Sequence, residues 1–355
     1  MTLDKERSRM LRGLAILGII LHNFLHLARY GFSVENEFGF SFERTAQFFK
    51  DLSSGGFLSA TGHILSFLGW TGVPVFVFLS AYGLTKKHEG QDSKFVLRPY
   101  VQHSWKKLFM LMWPGILIYI IMHFGEWEFA LRSLSSLTLL ANFFLPFFIF
   151  EPEIYWYFGL TFELYLLYIA YFYVRDKRFL VVTAVFTWVL QSLLLLTGSP
   201  SHLVHWNLAN FVGWLPVFSL GVYCARSDKT VSFSLPVDIL VAVASLGLIV
   251  LCNLNKYLWV FIHIPSLVFF FSLMRLIART SLTKRVFLYL GNLSAFIFAC
   301  HPVSRSFVNR FLPVGMNVWI KLLVFLALTL VLAMGFQYAF KKLAERRTPE
   351  QLPRK

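Results

Sequence analysis

Eleven apolar runs follow one another through this chain, at roughly 11–29, 64–84, 108–124, 134–150, 155–174, 179–197, 206–225, 235–253, 258–274, 286–304 and 314–340. A bilayer core of about 30 Å takes about 20 residues of helix. Inside lipid every backbone polar group must be bonded within the protein, so the runs predict an all-α transmembrane bundle. The charged fraction is 14%, against about 25% in soluble domains. The net charge of +15 would suggest nucleic acid in a soluble protein. Here the basic residues stand between apolar runs, so they read as orientation signals beside membrane lipids, and no nucleic-acid partner is expected.

Cys224, Cys252 and Cys300 all fall inside apolar stretches, so no disulfide framework or zinc spacing can be assembled, and no metal is expected. Lys5, Arg7, Arg9 and Arg12 run into an apolar stretch carrying His22, Asn23 and His26. That stretch lacks a small-residue cleavage site, so it predicts a retained first span.

Eleven runs are one too many for the charge pattern. With the basic N-terminus inside and 134–150 not crossing, 25 of the 33 Lys and Arg lie inside; if 134–150 crosses, 14 lie inside and 19 outside. The first count obeys the positive-inside rule. The expectation is ten spans with both termini cytoplasmic and 134–150, with Asn142 and Pro146, as a re-entrant or interfacial element. Residues 1–355 read as a single integral membrane domain, 341–355 being a short basic tail, with no fused soluble domain. Any chemistry must then occur within the bundle.

Ionisable groups inside spans cost roughly 2.5–3.5 kcal/mol each on insertion scales, which marks them as functional candidates. On the first span His22 and His26 are one turn apart, and Arg12 lies about 15 Å below His22 at the inner mouth. Glu163, eight residues into its own span, lies at a depth matching His22, and a carboxylate beside an imidazole fixes its tautomer for work as a base. Asn23 shares the broad face of the histidines; Trp156 reads as an interfacial belt residue with an outside chance at the site. His301, followed by Pro302, faces either a cavity or the headgroups. Gly72 to Gly83, with Ser80, packs small and kinking residues into the second span, which serves close helix packing or exposes donors to a ligand. The inner loop carries Lys86, Lys87, Lys94, Arg98, Lys106 and Lys107. It forms a cationic mouth suited to an anionic donor such as coenzyme A, or serves topology and headgroup contact.

These blocks resemble the bacterial membrane acyltransferase family 3, which includes O-acetyltransferases of surface glycans. Leu11-Arg12-Gly13-Leu14-Ala15-Ile16-Leu17 followed by His22 is similar to its first-helix Arg and His motif. Gly72-Val73-Pro74-Val75-Phe76-Val77-Phe78-Leu79-Ser80 and Trp156-Tyr157-Phe158-Gly159-Leu160-Thr161-Phe162-Glu163 are similar to two further blocks, and His301-Pro302 to its late helix. Leu215 to Gly221 adds a weaker fifth match. Nine residues separate Arg12 from His22 where the family usually has ten, so Asn23 stands at the expected position and His22 or His26 is the working imidazole. Ser80 is followed by Ala81 rather than Gly, and the family's Arg-based motif after the second helix survives only as Lys106-Lys107.

The resemblance implies ten core helices and a role for the first-helix Arg and His in catalysis or donor handling. The expected activity is transfer of an acyl group, acetyl first, from cytoplasmic acyl-CoA to a hydroxyl of a cell-surface or lipid-linked glycan, in the bacterial inner membrane. His22, His26, Glu163 and His301 are the catalytic candidates; Arg12, Ser80, Arg98, Lys106 and Lys107 are the donor-binding ones. The rival readings are a proton-coupled transporter or flippase and a non-catalytic member of the family.

Overall fold

The computed structural model describes residues 3–89, 96–144, 153–174, 176–198, 201–227 and 233–347. Lys94, residues 145–150 of the 134–150 segment and residues 348–355 of the basic tail lie outside them. Among the described residues there is no strand, and fifteen α-helices follow in order: α1 Lys5–Leu25, α2 Phe42–Ser54, α3 Phe57–Leu68, α4 Val73–His88, α5 Leu97–Met122, α6 Trp127–Ser136, α7 Trp156–Ala170, α8 Lys177–Leu196, α9 Ser201–Ala209, α10 Phe211–Ala225, α11 Leu235–Leu254, α12 Lys256–Trp259, α13 His263–Ile277, α14 Ser281–Phe311 and α15 Val318–Arg347. Nine helical stretches among them are long and apolar enough to cross a membrane, and His263–Ile277 is a shorter apolar helix.

Local chemistry sets several of these boundaries. Asp4 caps α1 by accepting from the Arg7 N–H at 2.7 Å, and Asp176 caps α8 by accepting from Arg178 and Phe179. Each carboxylate satisfies backbone donors left open at a helix start. The second expected span is broken. It runs from Phe57 to His88, longer than the apolar run 64–84, and passes through a 3₁₀ turn at Gly69–Gly72 before α4 starts with Pro74 in its first turn. Proline has no N–H to extend α3 and favours a helix start.

The segment 134–150 forms no crossing helix in its described part: α6 ends at Ser136, and a 3₁₀ turn covers Ala141–Phe144. Its Asn142 is buried and donates to the carbonyls of Trp156 and Ala209, both at 2.8 Å. Non-helical backbone near α7 is thus covered by protein, as membrane depth requires.

Helix α1 is central. Of its most apolar window 61% is buried, against 28% for α8, α11 and α15, which present their apolar faces outward to lipid. α1 crosses α14 with backbones nearly touching, since a Cβ at Gly13 would overlap the Phe287 carbonyl and one at Gly291 the Arg9 carbonyl. Small residues at a crossing are what let membrane helices approach this closely.

Ion pairs join helix ends. Arg226 at the end of α10 grips Glu89 through Nε and Nη2, at 2.7 and 2.6 Å, and donates to the Phe172 carbonyl at the end of the α7 region. Arg275 and Arg279 both reach the fully buried Asp238, at 2.5 and 3.2 Å. Lys284 of α14 pairs with Glu6 of α1 at 2.7 Å.

Candidate functional site

The C-terminal end of α1 gathers three of the four catalytic candidates, His22, His26 and His301. His22 and His26 stack with ring centroids 4.6 Å apart and planes 10° from parallel, as one helical turn dictates. The close approach of α1 to the Gly69–Gly72 turn sets the position of His22, because a Cβ on Gly69 would stand 2.5 Å from the Gly18 carbonyl oxygen and 2.7 Å from His22 Cβ. With glycine there, His22 Nδ1 donates to the Ser66 carbonyl at 2.6 Å, near the broken end of α3. A carbonyl only accepts, so the proton sits on Nδ1 and the lone pair on Nε2. That lone pair faces the carboxylate of Glu37, with Oε2 at 3.9 Å.

The carboxylate beside His22 therefore comes from the loop after α1, not from Glu163. Glu37 is largely covered; burial, then the neighbouring Glu35, raise its carboxyl well above the usual carboxylate range. Glu35, Glu37 and His22 bring one ligating atom each to within 4.8 Å of one another. The loop is held by its own network. Asn36, fully buried, donates to the Ser41 carbonyl, Thr45 Oγ1 and Asn253 Oδ1 at 3.0–3.2 Å, and its carbonyl accepts from the Trp259 indole. Ser33 donates through its hydroxyl to Asp51 at 2.9 Å and through its backbone N–H to His63, while its carbonyl accepts from Ser66 Oγ. Asn36 touches neither imidazole, so Asn36→Ala tests the loop alone. We expect it to cost about 1–3 kcal/mol of stability, read as a lower Tm in detergent, and to depress turnover by misplacing Glu37.

Glu163 has a different neighbourhood. Its Oε2 accepts from the Phe211 N–H at 2.8 Å, at the start of α10, where Asn210 makes no side-chain cap. Among the described residues its buried Oε1 has no hydrogen-bond partner, and no hydrogen bond or ion pair joins it to His22 or His26. A carboxylate from α7 thus supplies the cap that α10 lacks, and equal depth on two helices did not make them neighbours. Glu163→Gln keeps an accepting oxygen and is expected to preserve Tm, whereas Glu163→Ala strands the Phe211 donor at a cost of about 1–3 kcal/mol. Loss of activity in Glu163→Gln at unchanged Tm would assign the carboxylate a chemical role.

His301 is fully buried on α14. Its Nδ1 donates to the Phe298 carbonyl at 2.8 Å, and its Nε2 accepts from Asn23 Nδ2 at 3.2 Å. Both ring nitrogens are engaged, so this histidine ties α14 to α1 and holds Asn23, the residue that follows His22. Arg305, one turn further, donates to the Asn23 carbonyl at 3.1 Å. Glu35, Glu37, Ser66 and Arg305 were absent from the sequence candidates.

At the opposite end of α1 two clefts meet. One, an open cleft of about 900 Å³, is lined by Arg7, Arg9, Arg12, Lys86 and Lys87 among others. The second, about 330 Å³, shares Arg12 and Lys87 and adds Ser80, Lys107, His103 and Tyr165. Arg12, Ser80 and Lys107 thus line these basic clefts, while Lys106 and Arg98 are exposed outside both linings. Between this mouth and the imidazoles runs a chain of rings: Phe76, which lines the second cleft, meets Tyr157 at 6.3 Å, Tyr157 meets Phe298 at 5.2 Å, and Phe298 meets His301 at 5.3 Å.

Compared with known protein families, residues 7–338 match acyltransferase family 3, described as an acyltransferase domain. That match takes in nearly the whole chain, so this multi-pass membrane protein belongs to the family. No curated protein and no solved structure matches the chain.

Proposed function

We propose that this protein takes an acyl group, acetyl first, from cytoplasmic acyl-CoA and transfers it to a hydroxyl of a cell-surface or lipid-linked glycan. The supporting observation is the pairing on one helix of a basic cleft around Arg12 with an imidazole ten residues further along whose lone pair is held free. In this reading the chain is a bacterial inner-membrane protein with ten spans, α13 being the tenth, and both termini cytoplasmic. The positive-inside count supports that orientation.

Phosphates of the donor dock against Arg12, Lys87 and Lys107, whose charges suit them. The acyl-pantetheine arm passes the ring chain of Phe76, Tyr157 and Phe298 toward α1. His22 Nε2 takes the proton of the acceptor hydroxyl, and the oxygen forms its bond to the thioester carbonyl carbon. The carbon–sulfur bond then breaks, and the coenzyme A thiolate leaves and recovers a proton from the imidazolium. Glu37, once ionised, would offset that transient positive charge. The 3.9 Å between Nε2 and Oε2 leaves space for a hydroxyl to reach the lone pair from the outer side.

The test uses purified protein in nanodiscs with acetyl-CoA labelled in the acetyl group and an extracted envelope glycan fraction as acceptor. Label is expected in an ester that mild base releases. Proton-coupled solute uptake in proteoliposomes with no ester formed would instead favour the transport reading.

A further inference from the structure

His22 is 2% exposed, and the Ser66 carbonyl fixes its Nδ1 proton, so Nε2 points an available lone pair at two acids. A histidine whose second nitrogen is bound to a backbone carbonyl is the arrangement that orients metal-ligating imidazoles. Oε2 of Glu35 is buried without a hydrogen-bond partner among the described residues, an independent sign that something belongs beside it. Arg305 contributes positive charge nearby. With both acids ionised, one negative charge remains in excess. The cluster also lies on the loop held by Asn36, so its acids are presented rather than trailing in solvent.

We propose that His22, Glu35 and Glu37 form a binding site for one divalent transition-metal cation, Zn²⁺ foremost. One imidazole and two carboxylates are the mixed nitrogen and oxygen set that zinc accepts with a coordination position left over. Metal–ligand distances of about 2.0–2.2 Å require the three atoms to close from their present spacing of up to 4.8 Å, which two glutamates on a loop reach by side-chain rotation. The consequence rests on the acyl-transfer reading: a bound cation occupies the lone pair assigned there to the acceptor's proton, so the loaded protein is inhibited.

The experiment is calorimetric titration of ZnCl₂ into tag-free, EDTA-treated, dialysed protein in detergent micelles, with acyl transfer measured on the same preparations. One Zn²⁺ per chain is expected, weakened at least 100-fold in His22→Asn and in the Glu35→Gln/Glu37→Gln pair, while His63→Gln, in the neighbouring Ser33 and Asp51 cluster, binds as wild type does. Size-exclusion profiles and Tm establish that each variant is folded, and the conservative Gln pair keeps the test valid if His22→Asn does not fold. No stoichiometric binding, equal affinity in the Gln pair, or Mg²⁺ bound as tightly as Zn²⁺ would each overturn the site. Zinc binding that meets these expectations in a protein with no acyl transfer would leave the site standing and remove the transfer reading. Transfer without zinc binding would do the reverse.

Discussion

His22→Asn is expected to lower acyl transfer by about 10²–10⁴-fold, the contribution of a positioned general base, without unfolding the protein. Asparagine places its amide near Nδ1, so the N–H donated to the Ser66 carbonyl at 2.6 Å is kept, while the Nε2 lone pair is removed. Tm in detergent is the control on folding, and a labelled acetyl-CoA assay reads the rate. His26→Asn supplies the comparison. His26 Nδ1 donates to the His22 carbonyl at 3.0 Å, so its substitution disturbs the stacking partner of His22 and is expected to cost less than tenfold. If His26→Asn abolished transfer and His22→Asn spared it, the roles of the two imidazoles would be exchanged.

The second large effect concerns assembly of the bundle. Gly291→Leu is expected to yield no monodisperse protein by fluorescence size-exclusion chromatography. Even the first added carbon would overlap the Arg9 carbonyl, and backbone cannot swing aside as a flexible side chain can. Gly291→Ala must therefore separate α1 from α14 slightly, at about 1–3 kcal/mol. Because that crossing also carries the bond from Asn23 to His301, the alanine variant is expected to lose activity along with Tm. Gly247→Ala and Gly335→Ala, where a Cβ meets nothing, are expected to be neutral or stabilising, since alanine is the better helix residue by about 1 kcal/mol. Equal behaviour of all three alanine variants would show that the crossing tolerates separation.

The contrast between Glu163 and Glu37 shows how far the residues themselves carried the reading. The apolar runs announced a helical membrane protein, and the cost of burying charge singled out Arg12, His22 and Glu163. Each of these is half-buried or buried. The small and kinking residues at 72–83 were legible, but the 3₁₀ break at Gly69–Gly72 just before them was not. Depth along a helix is legible from residue counting, but the direction in which a side chain points around the bundle is not, because neighbours are set by helix crossings. Glu163 accordingly sits at the expected level yet meets the start of α10. Glu35 and Glu37 fall in a connection between apolar runs, where charge is ordinary and gives no alarm. The hydrogen bonds of Asn36, Ser33 and Thr45 to distant helices, with the ring contacts of Phe32, Phe38 and Phe40, fold that connection over the end of α1.

Because the acids that meet His22 belong to this connecting segment, while the imidazole and the basic clefts belong to the helices, the two parts of the proposed site can vary separately. On the proposed function, substitutions at exposed positions of this stretch such as Val34 would reshape what reaches the imidazole, whereas Asn36, bonded to Asn253 of α11, is needed to hold the stretch in place. If the proposed transfer holds, transplanting that short stretch between relatives would exchange acceptors while retaining the donor.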